Sequence, residues 1–288
     1  MAGKEIQTPE RARKNYIVES NNLAQTKQND LTAQQMKIVL FFVSKIRMTD
    51  EGTQEYTATI GEICDICGLD KSNGFYYITI KNDLMRLAQP SWERIGTDKK
   101  TGGAIIATIS WFSKVAINEG SGKITIYFDR DLWPHLFNLR RDFTKFELGE
   151  VLPFKSKYAI RLYEILVSKI MDRERKQLDR IETVEIVFDA DELKAMLNAG
   201  QYKDFKDFRR RALSPAVSQI NKYSEEIRID DIITETDGKK VKSIVFPIRY
   251  ATASEILKAK KAAQAALSIK RKPRQRGPES AAADHQGD

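Results

Sequence analysis

The chain has 288 residues, enough for about two domains. It is 41% hydrophobic and 31% charged with a net charge of +8, which points to an anionic partner such as nucleic acid or a membrane surface. The longest apolar run, residues 38–43, is far short of the roughly 18 residues a bilayer span requires, and the opening residues carry no secretory leader, so a cytoplasmic protein is expected.

Cysteine and histidine are scarce. Cys64 and Cys67 cannot make a disulfide framework, and His135 and His285 leave few ligands for metal or histidine-dependent chemistry. The Cys-Asp-Ile-Cys spacing lies within an amphipathic helix and has no second ligand pair, so buried thiols are expected rather than zinc. No cofactor is expected.

Residues 1–28 are polar and mixed in charge and read as an N-terminal arm or loosely held start. Thr32 followed by Gln35 forms a capping-box pattern, and Met36, Val39, Leu40, Val43 and Ile46 then recur at helical spacing. A second helix is expected over residues 60–67, ended by Gly68 in a left-handed cap. A third, capped by Asp70 or Ser72, runs to about Gln89 with Tyr77, Ile80, Leu84 and Leu87 inward. Two helices joined by a short Gly-containing turn are the helix-turn-helix arrangement. Strand-like segments follow at 92–97, 104–119 and 123–128, separated by turn-rich stretches, so the unit reads as a winged helix. Residues 129–142 read as a short helix and linker.

The pattern then repeats. An amphipathic helix is expected over 158–171, then a solvated charged loop at 172–176 and a strand at 184–188. Asp189 caps a helix that Gly200 ends, another helix starts at Tyr202, and a hairpin of 226–235 and 241–250 turns at Asp237-Gly238. Val43-Ser44-Lys45-Ile46 recurs as Val167-Ser168-Lys169-Ile170. The expected fold class is therefore α+β: an arm at 1–28, winged-helix domains at 29–140 and 141–250, and a basic tail at 251–288.

The helix from Tyr202 is the most informative segment. With Phe205, Phe208, Ala212, Val217 and Ile220 inward, Lys203, Lys206 and Arg210 form one row on the opposite side at about 100° per residue. Arg209 and Arg211 flank that row, and Ser214 and Lys222 are further DNA-binding candidates. An α-helix fits the major groove, where arginine can bond bidentately to guanine, while lysines mostly hold phosphates. Pro215 either starts a new turn capped by Ser214 or kinks the helix. Lys239, Lys240 and Lys242 make the neighbouring wing basic. Duplex DNA is thus the expected partner.

In the first half the equivalent helix offers Lys71, Lys81 and Arg86 for phosphates. Its outward face carries Phe75, Ile78 and Met85. They either pack against another domain or subunit or belong to a core buried on both sides. The tail, with Lys258, Lys260, Lys261, Lys270, Arg271, Lys272, Arg274 and Arg276, is either a solvated charge run or a source of salt-sensitive, sequence-independent affinity.

With these landmarks the chain resembles the initiator Rep proteins of theta-replicating plasmids, over about residues 16–250. The resemblance rests on Leu31-Thr32 through Phe41, on residues 155–164 (Lys-Ser-Lys-Tyr-Ala-Ile-Arg-Leu-Tyr-Glu), and on Phe208 through Val217 with Ile220-Asn221. It implies binding of directly repeated origin sequences (iterons) as monomers, and of an inverted operator repeat as dimers that repress their own gene. It further implies dimerisation through the first domain, help in opening the origin, and recruitment of a host initiator and helicase. The tail lies outside the matched pattern.

An enzyme is not expected. A rolling-circle relaxase needs closely spaced histidines beside its tyrosine, and neither Gly122-Lys123-Ile124 nor Gly238-Lys239-Lys240 completes a phosphate-binding loop. The alternative is a dedicated transcriptional repressor, which would bind only an inverted repeat.

Overall fold

In a computed structural model, the structure describes residues 15–27, 30–69, 71, 74–90, 92–97, 101, 104–174 and 183–250. The basic tail, the Asp70 and Ser72 caps, most of the 98–103 turn and the end of the charged loop at 175–176 lie outside the described residues. Residues up to Tyr250 belong to one compact unit.

The first departure from expectation is at the start. Residues 16–25 are not a loose arm: β1 (Tyr16–Ser20) and α1 (Asn21–Gln25) bury Ile17, Leu23 and Ala24. These few apolar side chains among polar ones gave no periodic signal, and the strand is completed by a distant partner. Helix α2 (Ala33–Val43) opens with the expected capping box, Gln35 N–H to Thr32 Oγ1 at 3.1 Å and Thr32 N–H to Gln35 Oε1 at 3.0 Å.

Strand β2 (Tyr56–Thr59) leads into α3 (Ile60–Cys67), which Gly68 ends at φ 65°. Cys64 and Cys67 are buried thiols with no disulfide between them. Helix α4 (Tyr76–Leu87) begins several residues later than expected and without a side-chain cap, although Ile80, Leu84 and Leu87 do face the core. Among the described residues, the strands β3 (Trp92–Thr97) and β4 (Ala104–Ile109) pair only with each other.

The expected continuous strand 104–119 is broken at Ser110-Trp111. Asp129 accepts from the Ser110 hydroxyl at 3.0 Å there, and β5 (Phe112–Asn118) starts a separate sheet with β6 (Lys123–Phe128) and β2. The wing of this half is therefore the β5–β6 hairpin, turning at Gly122 (φ 64°).

After a 3-10 turn (Arg130–Leu132) come α5 (Trp133–Leu136), β7 (Phe143–Glu147) and α6 (Leu148–Val151). The strand β7 pairs antiparallel with β1, Tyr16 opposite Glu147 and Ser20 opposite Phe143. Chain from the beginning of the molecule thus crosses the boundary expected near residue 140.

Helix α7 (Lys157–Glu174) is not amphipathic in the usual sense. Ile160, Leu162, Tyr163, Ile165 and Leu166 are fully buried, and so are Arg161, Glu164 and Ser168 on its other faces. The periodic polar residues that suggested a wet face instead meet α1, packed alongside. Tyr163 stands edge-on to Phe146 and Phe154 at 5.3 and 5.7 Å between centroids.

The second half continues with β8 (Thr183–Asp189) and α8 (Ala190–Met196), whose first turn donates to the Asp189 carboxylate. Asn198 at φ 49°, not Gly200, takes the left-handed position after it. Next is a continuous helical rod: α9 (Phe205–Phe208), a π turn (Arg209–Leu213) and α10 (Ser214–Tyr223).

The expected strand 226–235 is two pieces, β9 (Ile227–Ile229) and β10 (Ile233–Asp237). Both pair with the long β11 (Lys240–Tyr250), and β8 lies on its other side. The order β10-β11-β8 matches β5-β6-β2 of the first half.

A buried ionic group ties the start of the chain to α7. Arg161 donates to Glu164 at 2.6 Å and to the carbonyls of Ala24 and Thr26 at 2.8 and 3.0 Å. Glu19, 2% exposed, has an Oε1 atom with no hydrogen-bond partner. Burial, reinforced by the Glu164 charge, pushes its carboxyl up to about 8.

Removal of one member leaves buried charge uncompensated, so Arg161→Met should cost about 3–5 kcal/mol in a denaturant titration. An acid whose pKa rises on folding binds more protons in the folded state. Its stabilisation is therefore full below about 4.5 and lost as pH rises through about 8. Glu19→Gln, neutral at every pH, should flatten the fall in unfolding midpoint between those limits. An unchanged slope would remove Glu19 from the account.

Candidate nucleic-acid interface

The rod of α9, the π turn and α10 is the second helix of the second helix-turn-helix. Its inner side is apolar: Phe208, Ala212, Leu213, Ala216 and Ile220 are 0% exposed. Side chains at its edge fix its position. The Gln219 carbonyl accepts from Lys155 N–H at 2.7 Å and Ser156 N–H at 3.1 Å, which occupies donors at the start of α7. Asn221 bonds both the N–H and the carbonyl of Ile229 at 2.7 Å. Beyond its end, Ser224 donates to buried Glu150 at 2.7 Å, and burial raises the Glu150 carboxyl. These anchors tie the rod to α6, α7 and β9 and leave its opposite side to solvent.

That side is basic. Lys206, Arg209, Arg210, Arg211, Ser214 and Lys222 are all exposed, and all lie on the rod. Lys203 is exposed too, but it precedes the first helical residue. The row of Lys203, Lys206 and Arg210 therefore loses its first member, because Asp204 starts the helix. The Lys203 carbonyl instead accepts from Lys194 Nζ at 3.3 Å. Ser218, exposed one turn after Ser214, joins the same side. Sequence reading missed it, although the four-residue spacing from Lys206 through Arg210 and Ser214 carries the signal.

Asp207 sits within this basic surface. Arg210 donates to it at 2.6 Å, and Arg211 Nε lies 3.8 Å away. The hydrogen bond from Arg210 holds the Asp207 carboxyl below its ordinary value. In the wing, Lys239 and Lys242 are exposed, while Lys240 pairs with Asp191 of α8 at 2.8 Å. The wing tip is thereby attached to the first helix of the motif. The Asp191 hydrogen bond raises the Lys240 ammonium above its usual value.

The first half has a similar tie: Lys81 of α4 pairs with Glu119 at the turn of the β5–β6 wing. Lys71 pairs with Asp65 at 2.5 Å, and Arg86 is exposed. Phe75, Ile78 and Met85 are 70%, 53% and 41% exposed. The reading of these three as a doubly buried core is therefore incorrect: α4 packs with one side only, through Ile80, Leu84 and Leu87.

Among the described residues, no group of three or more His, Cys, Asp or Glu is placed to hold a metal ion. Among them, no helix is long and apolar enough to cross a membrane.

Comparison with known proteins agrees with this architecture. Residues 16–167 match the family model described as initiator replication protein, WH1, and residues 189–248 match initiator Rep protein, WH2. A replication initiation protein of Escherichia coli is 26% identical over 128 residues, covering 44% of this chain and 37% of the relative. The PI protein of Escherichia coli is 24% identical over 151 residues, covering 48% of this chain and 46% of the relative. The matched stretches thus span less than half the length of these curated relatives.

The crystal structure of Pi initiator protein in complex with iteron DNA shares the fold. Its TM-score is 0.62 at 20% identity, over 83% of this chain and 98% of that one. Two winged helices in tandem, matched in order by both family models, make this chain a member of the initiator replication protein family.

Proposed function

We propose that this chain initiates plasmid replication in the cytoplasm by binding directly repeated origin sequences in duplex DNA. In this reading α9, the π turn and α10 lie in a major groove, with Arg209, Arg210 and Arg211 directed at base edges. Lys203, Lys206, Ser214 and Lys222, with the wing lysines Lys239, Lys240 and Lys242, hold phosphates. The observation that carries it is the exposed basic side of a rod whose other side is fully buried. The solved relative bound to iteron DNA supports the choice of ligand. No catalytic step is proposed.

The first half supplies further phosphate contacts through Lys71, Lys81 and Arg86. It also supplies a self-association surface, for which exposed Phe75, Ile78 and Met85 are the support. As a dimer the chain represses its own gene. As a monomer on repeats it helps open the origin and brings in host initiator and helicase. This last part rests on family membership. A dedicated repressor would bind inverted repeats only, so monomeric binding to tandem direct repeats, observed by footprinting with sizing of the complex, separates the two.

Arg210→Ala should weaken binding to a duplex selected from a random pool by about tenfold or more, and binding to a scrambled duplex far less. Equal losses on both would move Arg210 to the phosphate-contact class. Asp207→Asn releases Arg210 and Arg211 from their internal partner. It should strengthen binding to the scrambled duplex and steepen the log–log salt slope by about one unit, measured by fluorescence anisotropy.

A further inference from the structure

The rod that carries the arginines is not a plain α-helix. Over Arg209–Leu213 the backbone takes the i→i+5 register, and the Ser214 N–H donates to the Arg209 carbonyl. The next donor in that register would be residue 215, which is proline and has no N–H. In an α register its ring would press on the carbonyl four residues back, that of Arg211. The wide turn lies where the proline disfavours the narrow one.

The consequence is one of phase. Along the rod the buried residues Phe208, Ala212, Ala216 and Ile220 recur every fourth position, and so do the exposed residues Lys206, Arg210, Ser214, Ser218 and Lys222. Four residues of α-helix advance about 400°, so in a plain helix either row would wind about 40° per step, and about 160° from Lys206 to Lys222. The π turn absorbs about one extra residue, or about 100°, and leaves about 60°. That is why both rows stay on their own side over the whole length.

We propose that Pro215 is a positioning residue for base recognition: by favouring the π turn it aligns Lys206 and Arg210 with Ser214, Ser218 and Lys222 along one groove-facing line, with Arg209 and Arg211 flanking it. The proposal rests on the reading of this rod as the base-reading element. Without the proline the turn contracts to α, and the arginines rotate relative to the residues beyond them.

The test uses the full chain, a duplex selected from a random pool and a scrambled duplex, with Pro215→Ala, Arg210→Ala and the double variant. Pro215→Ala is expected to lower affinity for the selected duplex by about tenfold, the scale of one lost bidentate contact. Affinity for the scrambled duplex should stay within about twofold, with cooperative melting intact. In the Arg210→Ala background the same change should cost about twofold or less, because the guanidinium it positions is already gone.

If Pro215→Ala leaves the selected-to-scrambled ratio unchanged while Arg210→Ala lowers it, the positioning role is overturned and the recognition reading stands. If Arg210→Ala itself leaves the ratio unchanged, the recognition reading fails. Pro215→Gly, which also restores an N–H, should repeat the selective loss. Loss of cooperative melting in both proline variants would assign Pro215 to folding and overturn the proposal.

Discussion

The arrangement depends on one constraint, the burial of α7 on every side. A helix with Arg161, Glu164 and Ser168 facing away from its apolar stripe needs partners for those groups, because an unpaired buried charge costs several kcal/mol. The start of the chain supplies them. The carbonyls of Ala24 and Thr26 accept from Arg161, and Gln25 donates to Ser168 at 3.0 Å. The two winged helices are therefore not beads on a linker. A short helix from the beginning of the chain lies against the central helix of the second half, which also packs on α2, β7, β8 and the rod.

The charge distribution shows economy of a different kind. Several cations of the candidate interface have an acidic neighbour: Asp207 for Arg210 and Arg211, Asp191 for Lys240, and Glu119 for Lys81. Such exposed pairs contribute little to stability. In the proposed reading their effect falls on binding, because each phosphate would compete with a carboxylate already in place. Attraction to an arbitrary duplex would be reduced, while a base edge that engages a guanidinium with two hydrogen bonds would still gain.

Much of this could be read from the residue order, and the exceptions have physical causes. The capping box at Thr32, the Gly68 cap, the Asp189 cap and the Asp237-Gly238 turn are local chemistry, and each lies where the sequence pattern put it. Non-local features were not legible. The pairing of β1 with β7 joins residues more than a hundred positions apart, and the burial of Arg161 is decided by what covers it. The basic side of the rod was visible in Lys206 through Lys222. Its π turn was not, although Pro215 and the four-residue apolar spacing carried the information together. A helix start placed at Tyr202 put Lys203 on a row it does not join, because Asp204 holds the N-cap position after it.

One further consequence comes from β11. Its eleven residues carry the wing lysines Lys240 and Lys242 at one end and pair with β8 farther along, where Ile244, Phe246 and Ile248 are fully buried. The wing is thus the outer end of a strand clamped in the core, and the Lys240–Asp191 pair ties its tip to α8. Its ordering cost is met when the molecule folds and need not be met again on docking. A load on the tip passes along one covalent strand into its pairing with β9, which packs against α10.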